Sequence, residues 1–251
     1  MRKLVISTLS ILLLLSSFPA FAGSENSYTD SFNKAKRILE QQVYFDNRTT
    51  IYCSARFDEQ GYIELPEGFA ANKYQNRTQK IEWEHIVPAE NFGRVFADWR
   101  DGNSKCTDNS GKPFKGRKCA EKVNVEYRYM QSDMYNLYPA IGAVNAARKN
   151  YNFTLLPGAQ SSFGSCSMKI EGKKVEPPEA ARGMIARTYK YMAQAYPQYK
   201  MSDQQTKLMD AWDKMYSVDA WECTRAKRIE VIQGNENPVV KSQCIEKQLW
   251  N

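Results

Sequence analysis

The chain has 251 residues, of which 42% are hydrophobic, 12% aromatic and 25% charged, with 35 Lys and Arg against 28 Asp and Glu. This is too polar for a membrane-embedded protein and too apolar for a disordered one. With 13 Gly, 10 Pro and no sustained period, collagen, coiled coils and low-complexity arrays are excluded, and the length suits one large domain or two small ones.

Residues 1–22 read as a secretory signal peptide. Arg2 and Lys3 give a positive start, Leu4 to Leu15 an apolar stretch, and Ala20-Phe21-Ala22 a small-x-small cleavage site. The mature chain is then 23–251, exported to the periplasm or beyond, with no membrane anchor. Losing Arg2 and Lys3 leaves 33 basic against 28 acidic residues, a net charge of +5. A basic exported protein favours polyanions such as nucleic acid, although the same charge also serves solubility.

Spacings of three and four among Phe32, Ala35, Leu39 and Val43 predict a helix over residues 24–45. Short strand-like pieces follow at Thr50–Tyr52 and Tyr62-Ile63, then a strand over Ile81–Val87 stopped by Pro88. Residues 100–120 form a loop rich in Gly, Asp, Asn and Lys. From Val125 to Asn150 the pattern is helical, interrupted at Pro139 and Gly142. A helix follows Pro177-Pro178 over 178–197, and Ser202 with Gln205 forms a capping box for the next, with the stripe Leu208, Trp212, Met215 and Tyr216. No linker or repeat appears, so a single α+β domain, mainly helical, is expected.

Six cysteines remain in the mature chain, an even number in an oxidising compartment, and three disulfides are the default. Six cysteines allow fifteen pairings. Cys106–Cys119 and Cys223–Cys244 close short loops, which leaves Cys53–Cys166 as a long-range staple. A short loop of this kind contributes about 3 kcal/mol in the chain-entropy model. A zinc site is the weaker alternative, because there is no C-x-x-C and the only histidine lies far from any cysteine pair.

That histidine, His85, follows Glu84. A strict strand would point the two to opposite faces, so a shared site requires the strand to end or bulge there. A carboxylate beside a neutral imidazole suits metal-assisted hydrolysis: the carboxylate holds a hard cation and the imidazole takes a proton from water. As a bare dipeptide the signal is weak, and a structural histidine beside a surface glutamate is the ordinary reading.

The wider strings are more specific. Ile81-Glu82-Trp83-Glu84-His85-Ile86-Val87-Pro88-Ala89 with Phe92-Gly93 resembles the signature of the bacterial endonuclease I family of secreted, non-specific nucleases. So do Asp133 to Asn145 with Arg148 and Asn150–Phe153, Pro177 to Tyr189, and Trp221–Arg225 with Gln233–Asn235 and Asn237-Pro238. These stretches are collinear and span about residues 30–246. The resemblance implies a ββα-metal motif, two strands and a helix around one divalent cation, within a disulfide-bonded domain. It implies Glu84 and Asn145 as ligands of one Mg²⁺, with Mn²⁺ or Ca²⁺ as substitutes. It also implies His85 as general base and Arg117, in Lys115-Gly116-Arg117-Lys118, as the group that steadies the transition state. The products would carry 5′-phosphates.

The chain departs from the family within the string Met130–Leu137. Gln131 stands where a glutamate is frequent, and Tyr135 where a histidine is frequent. Gln131 keeps an oxygen acceptor but loses a charge, which bears on metal affinity and turnover. A cysteine pair of better-known members is also missing, with Ala55 at one of its positions. Asn136 is a competing amide ligand, expected to support the site rather than bind the metal. Basic side chains suited to phosphate are Lys105, Lys112, Lys115, Lys118, Arg148 and Lys149, whose contacts to DNA or RNA would be independent of sequence. Their bland reading is solvated loop charge, and the tyrosines 127, 129, 135 and 138 are more readily core than stacking platforms. The function expected is a monomeric endonuclease. The alternatives are a weakened or inactive nucleic-acid-binding protein of the same fold, and a cationic envelope protein.

Overall fold

A computed structural model describes residues 25–250, so the expected signal peptide lies outside the described residues. The chain enters by a pinned segment: the Asn26 backbone N–H donates to Tyr196 Oη at 3.1 Å, and its amide nitrogen donates to Tyr129 O at 2.8 Å. Ser31 caps α1 (Phe32–Ile38), which continues as a π-helical turn over Leu39–Val43. Ala35, Leu39 and Val43 are buried as their spacing predicts, but the helix starts at Phe32 and not at residue 24. Two short antiparallel strands follow, β1 (Arg56–Phe57) and β2 (Ile63–Glu64).

Strand β3 (Ile81–His85) ends on the histidine. Residues 86–136 then make an excursion through α2 (Ala89–Gly93), α3 (Ala97–Arg100), α4 (Arg117–Val123) and α5 (Val125–Gln131). The chain returns in β4 (Leu137–Ile141), antiparallel to β3 with Glu84 opposite Tyr138 and His85 opposite Leu137. It passes directly into α6 (Gly142–Arg148). The unit β3–β4–α6 is thus two strands and a helix.

Sequence pattern does not reveal β4, which falls inside a stretch expected to be helical. All five of its residues are buried, so no polar alternation betrays a strand. Pro139 would interrupt a central strand, but this sheet has only two strands, and an edge tolerates the missing N–H.

Beyond α6, β5 (Asn152–Phe153), β6 (Lys169–Glu171) and β7 (Lys174–Glu176) make a three-stranded sheet ordered β5-β7-β6. Four helices complete the domain: α7 (Glu179–Ala195), α8 (Asp203–Met215), α9 (Ala220–Gln233) and α10 (Pro238–Glu246). The Ser202 hydroxyl accepts from the Gln205 N–H at 3.2 Å, the expected cap of α8. The buried stripe of α8 is Gln205, Met209 and Trp212, at intervals of four and three. Met215, expected in the core, is 69% exposed because the stripe runs through Met209.

The three disulfides are Cys53–Cys166, Cys106–Cys119 and Cys223–Cys244, as expected. The last ties α9 to α10, and Arg225 of α9 reaches the ββα unit. Its guanidinium donates to Met134 O at 2.7 Å, Leu137 O at 2.9 Å, Tyr44 Oη at 2.8 Å and Tyr138 Oη at 3.1 Å. The helical half therefore fixes the entry of β4. Asp133, just ahead of it, is buried and accepts from Tyr191 Oη and Tyr196 Oη, both at 2.7 Å. Single-domain α+β architecture around a ββα unit is the observed fold.

Candidate active site

A cavity of about 620 Å³ opens at the tip of β3 and is lined by Glu82, Glu84 and His85 from that strand, Arg117 from α4, and Asn145 and Arg148 from α6. Phe32, Lys36, Arg77, Trp99, Lys149 and Asn150 complete much of its wall. Because β3 ends at His85, two neighbours that point to opposite sides of the strand both reach the one cavity.

His85 is buried between aromatic rings, 4.9 Å from the Phe32 centroid and 6.0 Å from that of Phe92. Its Nε2 lies 2.8 Å from the backbone oxygen of Gln131. A carbonyl only accepts, so Nε2 carries the proton and Nδ1 keeps its lone pair. Burial, followed by the positive charge of Arg117, pushes the imidazole down to about 3. The ring is therefore neutral at physiological pH, with a fixed tautomer, which is the state a general base needs.

Glu84 points the other way. Its Oε1 accepts from Tyr52 Oη at 2.8 Å and lies 3.1 Å from Arg148 Nη1, so Oε2 is the oxygen left for a further partner. Burial pushes the carboxyl above its ordinary value, against the pull of Arg148 and Tyr52. Arg148, expected on the phosphate-binding surface, is fully buried instead. It donates from Nη1 to His85 O at 2.8 Å and from Nη2 to Ile86 O at 2.6 Å, and its guanidinium lies 4.6 Å from the Phe153 ring centroid. It braces the end of β3. Proximity to Lys149 in sequence suggests exposure, but the two side chains leave the last turn of α6 in different directions.

Asn145, on α6, donates from Nδ2 to Glu82 Oε2 at 2.9 Å. Glu82 is itself held by Arg77, with Arg77 Nε at 2.7 Å from Oε1 and Nη2 in a short contact with Oε2. Glu82 is a site residue that the sequence reading misses. The signal is present, since it precedes Glu84 by two and shares its face of the strand.

Arg117, the first residue of α4, donates from Nε to Glu121 Oε1 at 3.1 Å and to Gln131 Oε1 at 3.0 Å. Gln131 Oε1 also accepts from Tyr127 Oη at 2.7 Å. Gln131 thus acts on the site through Arg117 with its side chain and through His85 with its backbone, and it is not among the cavity-lining residues. Asn136 spends both ends of its amide on Val87, accepting from N at 2.8 Å and donating to O at 3.0 Å, so it is a backbone clamp. Lys115 and Lys118 are exposed beside Arg117 outside the cavity, as are Lys105 and Lys112. Lys149 is exposed and lines the cavity, with a left-handed backbone (φ +54°) at the end of α6. Tyr127, Tyr135 and Tyr138 are core residues and Tyr129 is half-buried.

Among the described residues no group of three or more His, Cys, Asp or Glu is disposed to hold a metal, and no helix is long and apolar enough to cross a membrane. One carboxylate plus one amide oxygen suits Mg²⁺, which keeps several waters and takes few protein ligands.

Comparison with known proteins shows the family. The family model described as Endonuclease I matches residues 24–244. An extracellular deoxyribonuclease of Aeromonas hydrophila is 39% identical over 224 residues, covering 86% of this chain and 92% of that protein. A periplasmic deoxyribonuclease of the same organism is 38% identical, covering 85% and 86%. Endonuclease-1 of Buchnera aphidicola subsp. Acyrthosiphon pisum is 36% identical, covering 90% and 89%. The chain belongs to the endonuclease I family.

Proposed function

We propose that this endonuclease is exported and hydrolyses phosphodiester bonds of DNA and RNA with little sequence preference, leaving 5′-phosphate ends. The mature enzyme comprises 23–251, acts as a monomer, and works in the periplasm or outside the cell. The names of its relatives support the nuclease and the compartment. The observation that carries the mechanism is the bond from His85 Nε2 to Gln131 O, in a cavity shared with Glu84, Asn145 and Arg117.

In this reading His85 Nδ1 accepts a proton from the attacking water. Burial and then the neighbouring positive charges disfavour the protonated imidazole, so the substrate phosphate, by offsetting Arg117, raises its basicity when it binds. Arg117 directs its guanidinium to the phosphate, and Gln131 and Glu121 set its orientation. Glu84 Oε2 and Asn145 Oδ1 would hold one Mg²⁺, with Mn²⁺ or Ca²⁺ as substitutes. Bound there, the ion supplies charge neutralisation to the phosphate and the leaving 3′-oxygen. Lys149 on the cavity rim, with Lys115 and Lys118 outside it, would meet flanking phosphates without reading bases.

The test is plasmid nicking by the mature, disulfide-bonded protein with Mg²⁺, with EDTA, and with His85→Ala. Metal-dependent nicking that the substitution abolishes is expected. Nicking that survives His85→Ala would remove the assigned base. A folded sample that binds DNA but never cleaves would favour the binding-protein alternative.

A further inference from the structure

Asn145 is an awkward metal ligand, because an amide presents either an oxygen or a nitrogen and rotation about its last bond exchanges them. The arrangement around it removes that ambiguity. Glu82 Oε2 takes the Nδ2 end at 2.9 Å, and a carboxylate accepts only, so the oxygen end must face elsewhere. Among the described residues no hydrogen bond is made to Asn145 Oδ1, and Asn145 lines the cavity that Glu84 and His85 line. Arg77 engages both oxygens of Glu82 and holds the carboxylate in place. Room for this is built into the backbone. At Gly142, the first residue of α6, a Cβ would stand 2.8 Å from Glu82 Oε1 and 2.6 Å from Arg77 O.

We propose that Glu82 is a positioning residue that, held by Arg77, locks the amide of Asn145 with its oxygen toward the cation. The inference rests on the reading that Glu84 and Asn145 bind the metal. Glu82 acts through Asn145, and its ion pair with Arg77 offsets the charge that a further free carboxylate beside Glu84 would bring.

The test uses the full mature chain, without nucleic acid, and titrates Mn²⁺ alone by calorimetry. In Glu82→Gln, Arg77 claims the new amide oxygen and turns the NH₂ toward Asn145, which must answer with its own oxygen. Mn²⁺ affinity should fall about 10-fold to 100-fold, the range for losing a group that orients a ligand. Adding Asn145→Asp to Glu82→Gln should restore it, since the carboxylate introduced on α6 accepts from the NH₂ introduced on β3 with one oxygen and offers the other. Asn145→Asp alone sets two carboxylates face to face and should not gain what the double variant gains. Glu82→Ala, which frees the amide to rotate, should lose less than Glu82→Gln. The inference is overturned if Glu82→Gln keeps Mn²⁺ affinity within about twofold, or if the double variant binds no better than Glu82→Gln. If Asn145→Ala leaves Mn²⁺ affinity unchanged, the ligand assignment fails and the inference with it. If Asn145→Ala abolishes binding while Glu82→Gln is silent, the inference alone fails.

Discussion

Two buried arginine–glutamate pairs, one in the helical half and one at the cavity, use the same chemistry to opposite ends. Arg187 of α7 and Glu222 of α9, each about 2% exposed, meet as a fork, Nε to Oε1 at 2.7 Å and Nη2 to Oε2 at 2.6 Å. The remaining Nη1 donates to Tyr216 O at 2.7 Å and to Asp213 at 3.2 Å. Arg148 and Glu84 are as deeply buried, but they touch through one oxygen at 3.1 Å. Arg148 sends its two Nη atoms to backbone carbonyls, and its Nε makes no hydrogen bond of ordinary geometry. The helical pair exhausts its carboxylate and holds helices together. The cavity pair leaves an oxygen of Glu84 uncommitted, so burial there does not use up the carboxylate.

If that distinction is right, breaking the helical pair should harm folding alone. Arg187→Ala strands Glu222 without its fork partner, while Asp213 keeps Lys190, and losing one partner of a buried pair costs about 3–5 kcal/mol. Urea unfolding should show this loss, while nicking per folded molecule stays unchanged. A cost under about 1 kcal/mol would mean that the pair is incidental. Glu84→Gln should do the reverse. The amide oxygen still accepts from Tyr52 and Arg148, so the unfolding midpoint should move little, but nicking should fall roughly 100-fold or more, the several kcal/mol that a lost metal ligand forfeits. A large stability loss with nicking preserved would make Glu84 a second structural partner and erase the comparison.

Each half also has a glycine pressed against an arginine–glutamate pair, Arg187 with Glu222 in one and Arg77 with Glu82 in the other, which allows a matched experiment. A Cβ at Gly183 would lie 2.6 Å from Arg187 Nη2 and 2.5 Å from Tyr216 O, much as one at Gly142 would crowd Glu82 and Arg77. Gly183→Ala and Gly142→Ala should each cost about 1–3 kcal/mol by overpacking. Only Gly142→Ala should also raise the Mg²⁺ concentration needed for half-maximal nicking.

The two halves differ in how far the sequence reveals them. The cysteines can be paired because loop length separates short closures from the one long staple, and α7 and the α8 cap follow from proline placement and Ser202. Strand β4 and helix α9 cannot be read in the same way. β4 is apolar throughout, and α9 buries Glu222, Arg225 and Gln233, so its inward face looks polar until Arg187, Tyr44 and Asp133 are seen across from it. At the site, Glu84, His85, Asn145 and Arg117 are legible through the resemblance of their local strings to the family, and they line one cavity. Arg148 is misread because nothing in its own segment announces that the backbone oxygens of His85 and Ile86 are its partners. Gln131 is legible as a residue near the site, but its bond to Arg117 comes from the meeting of α4 and α5, which spacing does not encode.

The smallest effect concerns acid. Burial alone would raise the Asp213 carboxyl, but hydrogen bonds from Lys190 and Gln243, with the charges of Lys190 and Arg187, outweigh it and hold the group below its ordinary value of 3.8. The folded state therefore binds this proton less readily than the unfolded chain. Stability from Asp213 is fully present above the unfolded value and is lost as pH falls through the folded one. Asp213→Asn should then be less stable than the parent at pH 6, and the gap should narrow as the pH is taken below about 4. Denaturant midpoints at the two pH values would measure it. A gap constant with pH would show that Arg187 and Lys190 do not need the charge of Asp213, leaving the fork to Glu222 as the electrostatic tie between α7 and α9.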